Sequence, residues 1–263
     1  MELQLHGKRA FVSGSTQGIG YAVASALTAE GVDVIVNGRD AARVETTVER
    51  LRREHPGSEP EGRVADFGEP EQVARLLDGL ADVDILVNNV GLFGLAPFAS
   101  IDDDEWARYL EVNVMSGVRL SRRLLDGMLE RGWGRIVFIG SESGVNVPAD
   151  MVHYGVTKAA MLALGNGLAK LTRGTDVTVN TVLGGPTYSD GVAATVSAIA
   201  DAQALPADAV KQAIIRQNRT TLLERFLAPA EIANLVTYLA SPLASATNGA
   251  ALRADGGVLT GML

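Results

Sequence analysis

The amino-acid sequence predicts an α/β fold: a doubly wound parallel sheet of seven strands between two layers of helices, closed into one domain. Three observations predict it. Short runs rich in β-branched residues alternate with longer helical patterns. Those runs are apolar throughout rather than at every second position. The first of them ends in a glycine-rich turn that opens directly into a helical pattern. A length of 263 residues suits a single core of this class, so the domain is expected to span 1–263.

In chain order, the strand runs are Arg9–Ser13, Asp33–Asn37, Gly62–Asp66, Asp84–Asn88, Arg135–Gly140, Thr178–Leu183 and Ala250–Ala254. Strands covered by helices on both faces have no polar side, which accounts for the missing alternation. Between them, the spacing predicts helices over Gly18–Glu30, Ala41–Glu54, Pro70–Leu80, Asp102–Arg131, His153–Thr172 and Pro229–Ala240. Asp40 and Asp102 stand at N-cap positions, where a short carboxylate accepts from a first-turn amide. Gly31 and Gly174 follow helix ends, where a left-handed residue is wanted. The stretch from Gly184 to Leu227 breaks the rhythm: it is long, rich in Ala, Thr, Ser and Asp, and interrupted by Pro186 and Pro206. It reads as a partly helical flap over the carboxyl ends of the strands, where open α/β sheets bind ligands. Val192, Val196, Ile199 and Leu205 are expected to form its apolar inner face.

Composition narrows the function. Apolar residues make up 47% and charged residues 21%, as in soluble globular proteins. A net charge of −8 argues against a nucleic-acid partner, which needs a basic face. With no cysteine, disulfides, thiolate nucleophiles and cysteine metal sites are excluded. His6, His55 and His153 have no metal-ligand spacing, and no metal is expected. Met1–Arg9 lacks a leader-like apolar run and no membrane-length apolar stretch follows, so the expectation is a cytoplasmic protein without a membrane partner.

The turn after the first strand reads Ser13-Gly-Ser-Thr-Gln-Gly-Ile-Gly20. Gly14, Gly18 and Gly20 lack side chains and let backbone amides approach a pyrophosphate, while the helix N-terminus favours its charge. Ser15 and Thr16 add hydroxyls, and Gln17 and Ile19 complete the loop. No Lys-Ser/Thr follows the last glycine, so this is not a nucleoside-triphosphate loop. A dinucleotide and a sheet of Rossmann type are expected. At the end of the second strand, enzymes that bind NAD usually carry an acid for the ribose hydroxyls. Here the chain has Gly38 and Arg39, and a guanidinium suits a 2′-phosphate, so NADP is preferred over NAD. Asp40 is better placed as the cap of the next helix.

Around the fifth strand, Ser141 is followed thirteen residues later by Tyr154-Gly-Val-Thr-Lys158. Residues four apart on a helix share a face. A free phenol has a pKa near ~10, too high for proton transfer at neutral pH, and an ammonium beside it is expected to lower that value. Ser141 can then hold a substrate oxygen against the phenol. The expected reaction partner is a small carbonyl or alcohol.

With these motifs in hand, the sequence resembles the short-chain dehydrogenase/reductase family, particularly members similar to 3-oxoacyl-carrier-protein reductases, over nearly its whole length. The glycine motif matches Ser13–Gly20, and Asn88-Asn89-Val90-Gly91 matches the family's Asn-Asn-Ala-Gly. The resemblance implies an adenine contact at Asp66 and Phe67 and cofactor contacts at Asn89, Val90 and Gly91. It implies an active-site asparagine at Asn113, completing a tetrad with Ser141, Tyr154 and Lys158, the last two also touching the cofactor. It further implies a homotetramer built partly through the helices Asp102–Arg131 and His153–Thr172. Where the family shows Asn-x-Val-x-Pro-Gly, this chain has Asn180-Thr-Val-Leu-Gly-Gly-Pro-Thr187. Losing the fixed φ of proline at Gly184 is expected to loosen the start of the flap, with Gly185 and Thr187 beside the carboxamide. The implied reaction is NADPH-dependent reduction of a carbonyl. An NAD(P)-dependent alcohol, sugar or steroid dehydrogenase working oxidatively is a second reading, and a non-catalytic dinucleotide sensor a third.

Overall fold

The computed structural model describes residues 2–217 and 221–262. Its strands are β1 (Arg9–Val12), β2 (Asp33–Gly38), β3 (Glu61–Val64), β4 (Ile85–Asn88), β5 (Trp133–Ser141), β6 (Asp176–Gly184) and β7 (Ala251–Ala254). They form one parallel sheet in the order β3-β2-β1-β4-β5-β6-β7. The order reverses between β1 and β4, and in open α/β sheets ligands bind at that reversal, beyond the carboxyl ends of the strands.

Side chains alternate between two cores, as the pleat requires. Ala10 and Val12 of β1, Ile85 and Val87 of β4, and Val137 and Ile139 of β5 enter one core. Helices α1 (Gly18–Ala29), α2 (Ala41–Glu54) and α9 (Pro229–Ala240) cover that core. Phe11, Leu86, Ile136 and Phe138 enter the other, under α3 (Pro70–Asp78), α5 (Ser116–Arg131) and α6 (Val152–Leu171). Phe138, fully buried, stabilises the fold by about 1.5–3 kcal/mol on apolar area alone.

The expected caps form. Asp40 accepts the Arg43 amide at 2.9 Å and Asp102 the Glu105 amide at 2.8 Å. Gly31 and Gly174 adopt φ of +78° and +81°.

One helix differs from expectation. Residues 102–131 do not form a single α-helix: α4 (Asp103–Leu110) runs into a π turn over Glu111–Met115 before α5 begins. The Ser116 amide bonds the Glu111 carbonyl, five residues back, so the turn holds one extra residue. The apolar pattern continues through it, which is why the sequence reads as uninterrupted.

The flap contains α7 (Asp190–Gln203) and α8 (Ala207–Gln217), and residues 218–220 of it lie outside the described residues. Val196, Ala200 and Val210 form a small core of its own, with Val192 and Ile199 against it. Leu205 is not part of that face: it sits in the turn between the two helices and is exposed. The flap's ends are tied, with the Tyr188 amide donating to the Leu227 carbonyl and the Leu227 amide to the Pro186 carbonyl, each at 2.8 Å. Gly184 does not loosen its start. Without proline, β6 runs on through Gly184, which pairs with Ser141 on one side and Ala254 on the other. No helix among the described residues is long and apolar enough to cross a membrane.

Candidate active site

The glycine turn leaves β1 at the sheet's reversal point. Gly14 and Gly18 take φ of +60° and +58°, conformations that a side chain would strain. A Cβ on Gly20 would lie 2.4 Å from the Gly14 carbonyl oxygen, so only glycine lets α1 start this close to the strand. Two asparagines hold the loop. Asn37, buried on β2, accepts the Gly14 amide through Oδ1 at 3.1 Å, and its own carbonyl accepts the Ser15 amide at 2.8 Å. Asn89 donates from Nδ2 to the Ser13 and Gly14 carbonyls, both at 2.9 Å. The Asn89 and Val90 amides in turn donate to Ser13 Oγ. Ser15 is spent inside the fold: its hydroxyl donates to the Val12 carbonyl and accepts the Asn37 amide, so it does not face a ligand as expected. Thr16 packs under Gly38, Gln17 is exposed, and Ile19 packs against the core. From the flap, Asp190 Oδ2 accepts the Gly18 amide at 2.7 Å. Neither Asn37 nor Asp190 carries a local sequence signal. Their partners lie 23 and 172 residues away.

At the end of β2, Arg39 projects into solvent with its side chain 77% exposed, 4.0 Å from the Asp66 carboxylate. Asp66 also accepts the Gly68 amide at 2.9 Å. Arg43, which sequence reasoning missed, reaches Gln17 Oε1 on the same rim at 3.4 Å. Phe67 is buried in the core, leaving only its main chain to face a ligand.

Beyond β4 and β5 the polar residues converge. Ser141 ends β5, and its Oγ donates to Glu142 Oε2 at 2.6 Å while accepting the Ser143 amide at 3.1 Å. The first turn of α6 presents Tyr154, and one turn later Lys158 Nζ donates to the Ile139 carbonyl at 2.8 Å. That ammonium lies 5.6 Å from the Tyr154 ring centre, and Phe93 meets the same ring edge-on at 5.4 Å. Asn113 falls within the π turn. Its amide donates to Thr157 Oγ1 at 2.9 Å and to the Leu92 carbonyl at 3.1 Å, and Oδ1 accepts the Leu92 amide. A methyl placed on Gly91 would stand 3.5 Å from Asn113 Oδ1 and 3.6 Å from Lys158 Nζ, so this loop runs beside both. Gly185 and Thr187 follow β6, the Gly185 amide donating to the Ala254 carbonyl and Thr187 Oγ1 to the Gly185 carbonyl.

Burial sets the electrostatics here. It pushes the Tyr154 phenol above its ordinary value, the Ser141 hydroxyl pulls it down, and Glu142 adds to the rise. Burial lowers the Lys158 ammonium to about 8, against the attraction of Glu142. The expected lowering of the phenol is therefore not seen in the protein chain alone, where burial outweighs the Ser141 hydroxyl. Burial also pushes the Glu142 carboxyl up, opposed by its bond to Ser141.

The remaining candidates are structural. His153 is buried, its ring 4.1 Å from that of Tyr109 and 6.3 Å from that of Trp106. His55 meets Ser25 Oγ at 2.9 Å. Trp133 lies between Lys8 and Arg135, at 3.9 and 4.6 Å. Asp102 caps α4 and Glu105 bonds Arg108. Among the described residues, no group of three His, Cys, Asp or Glu side chains could hold a metal.

Comparison with known proteins gives the family of the chain. The family model described as short chain dehydrogenase matches residues 8–200. An uncharacterised oxidoreductase of Bacillus subtilis, YvaG, is 45% identical over 260 residues, covering 98% of both chains. A 3-oxoacyl-[acyl-carrier-protein] reductase of Aquifex aeolicus is 31% identical over 98% of this chain and 100% of its own. L-sorbose reductase from Gluconobacter frateurii, solved with NADPH and L-sorbose, superposes with a TM-score of 0.94 at 28% identity, covering 100% of each chain. The chain thus belongs to the short-chain dehydrogenase family of oxidoreductases.

Proposed function

We propose that this protein uses NADPH to reduce a carbonyl to a secondary alcohol, with Ser141, Tyr154, Lys158 and Asn113 as its working residues. The observation that carries the reading is the convergence of these four side chains beyond β4 and β5, beside the glycine turn. The turn suits a pyrophosphate: the Gly18 amide already donates to an anionic oxygen, that of Asp190, at 2.7 Å. Gly14, Gly18, Gly20 and the Val90–Gly91 loop would hold the dinucleotide, with Asp66 and the main chain of Phe67 near the adenine and Gly185 and Thr187 near the nicotinamide. Arg39 supports a 2′-phosphate, since its guanidinium is exposed and no closer to a carboxylate than 4.0 Å. The relative from Gluconobacter was solved with NADPH.

Bound NADPH supplies the hydride. Ser141 orients the substrate oxygen, and Tyr154 donates its phenolic proton to that oxygen. A phenol held neutral by burial is the form that reduction needs. Lys158 places a positive charge beside the tyrosinate that remains. The Asn113 side chain is bonded to Leu92 and Thr157 and so holds the π turn, beside which a water for proton resupply would sit.

Tyr154→Phe is the test. With NADPH and a panel of 3-oxoacyl thioesters and other ketones, turnover should fall by roughly 10²–10⁴ while NADPH binding persists. Unchanged turnover would remove Tyr154 from the mechanism. NADPH binding without turnover on the whole panel would make the wild type a sensor. A ketose substrate is the second reading, favoured by the superposition on L-sorbose reductase, and the same panel decides it. A homotetramer through α4, α5 and α6 is supported by exposed Leu110, Val156 and Leu171 on those helices, and light scattering checks it.

A further inference from the structure

Glu142 has no part in the reaction above, yet its carboxyl lies against the hydroxyl that orients the substrate. Ser141 Oγ donates its single hydrogen to Glu142 Oε2 at 2.6 Å and accepts the Ser143 amide at 3.1 Å. The second carboxyl oxygen takes the Ser143 hydroxyl at 3.4 Å. Glu142 is mostly buried, and the charged or titratable groups facing it are Tyr154 and Lys158 of α6. A hydroxyl has one hydrogen and two lone pairs, whereas a ketone oxygen has lone pairs only. While Glu142 is ionised, the serine's hydrogen is held by the carboxylate, and Ser141 meets a ketone oxygen as acceptor against acceptor. Once protonated, Glu142 can donate to Ser141 Oγ. That oxygen then accepts from both Glu142 and the Ser143 amide, and its hydrogen turns to the substrate.

We propose that Glu142 is a positioning residue which, through its bond to Ser141, decides whether that serine offers the substrate oxygen a hydrogen or a lone pair, the protonated carboxyl being the form that binds a ketone. This rests on the reductase reading. Burial disfavours the carboxylate and so extends the protonated form upward in pH. The sign follows: reduction is supported below the Glu142 titration and weakens as pH rises through it.

Two measurements on the full-length protein test the proposal. In carboxyl-labelled NMR, one glutamate should titrate above the ordinary range. It should vanish in Glu142→Gln and move further up in Ser141→Ala, which removes a donor to the carboxylate. In steady-state reduction of a ketone, wild-type kcat/KM should fall about 10²-fold as pH passes that titration, the loss of one donor to the reacting oxygen. Glu142→Gln, whose amide can donate to Ser141, should flatten this limb, leaving the one near pH 8 that belongs to Lys158. Added to Ser141→Ala, it should leave the profile unchanged, because its effect acts through that serine. A carboxyl that titrates in the ordinary range, ignores Ser141→Ala, or alters rates equally at all pH overturns the role of Glu142 alone. The NMR coupling without turnover of any ketone overturns the reductase reading, and the role of Glu142 with it.

Discussion

Two buried cations sit at opposite ends of β5, and they are bonded very differently. Arg135, near the start of the strand, is 1% exposed and donates from Nε to the Ser241 carbonyl and from Nη1 to the Gly134 and Asp176 carbonyls. Its guanidinium also stacks on Trp133. Lys158, beyond the other end, is 4% exposed. Among the described residues, one of its three N–H groups is bonded, to Ile139. Burial lowers the pKa of both. The difference is in spare capacity. Arg135 gives three of its five N–H groups to main-chain carbonyls that hold the start of β5 to β6 and to the end of α9, so it serves the fold. Lys158 stays desolvated with donors unspent, a costly arrangement that the fold alone does not need.

Substitutions sharpen this contrast. The largest effect is expected from Lys158→Met, which should lower ketone reduction by about 10²–10³. An apolar chain of similar volume removes a poorly paired buried charge, so thermal unfolding should show Tm unchanged or raised. A clear fall in Tm would make Lys158 structural and erase the contrast. Arg135→Met should do the opposite. It removes the side-chain donors from the Gly134, Asp176 and Ser241 carbonyls, costing about 2–4 kcal/mol, or a Tm roughly 5–10 °C lower, with kcat per folded molecule intact.

The pH dependence comes next in size. A Lys158 held near 8 keeps its charge below that pH and loses it above, so reduction should decline on the alkaline side. An alkaline limb that survives in Lys158→Met would belong to another group. The smallest effect concerns the glycine turn. Asp190→Asn removes a carboxylate from the Gly18 amide, the position expected for pyrophosphate, so titration calorimetry should show NADPH binding tightened a few-fold. Weaker binding would instead make Asp190 a support for the flap.

The elements carrying this contrast were unequally legible in the sequence. The sheet was readable because both of its faces are covered, so Ala10–Val12, Ile85–Val87 and Ile136–Ile139 had to be apolar throughout. Tyr154 and Lys158 were readable from a spacing of four on a helix. What escaped was whatever depends on distant chain or on side-chain direction. Asn37 clamps Gly14, and Asp190 meets Gly18 across 172 residues. Ser15 stands where hydroxyls contact phosphates yet turns inward to Val12. The fate of Glu142 was hidden in the same way, since adjacency to Ser141 does not say that its carboxyl folds back on the serine hydroxyl.

The five-residue turn over Glu111–Met115 has a consequence of another kind. It is an insertion, and no exchange of one side chain for another can undo it. Deleting a single codon there would let α-helical bonding run on through the segment, and because the wide turn absorbs the extra residue, the helix after it would keep its facing. Leu120, Leu124 and Met128 would stay on the sheet, whereas Asn113, inside the turn, would leave Leu92 and Thr157. The extra residue therefore serves the placement of the asparagine and is dispensable to the packing of α5.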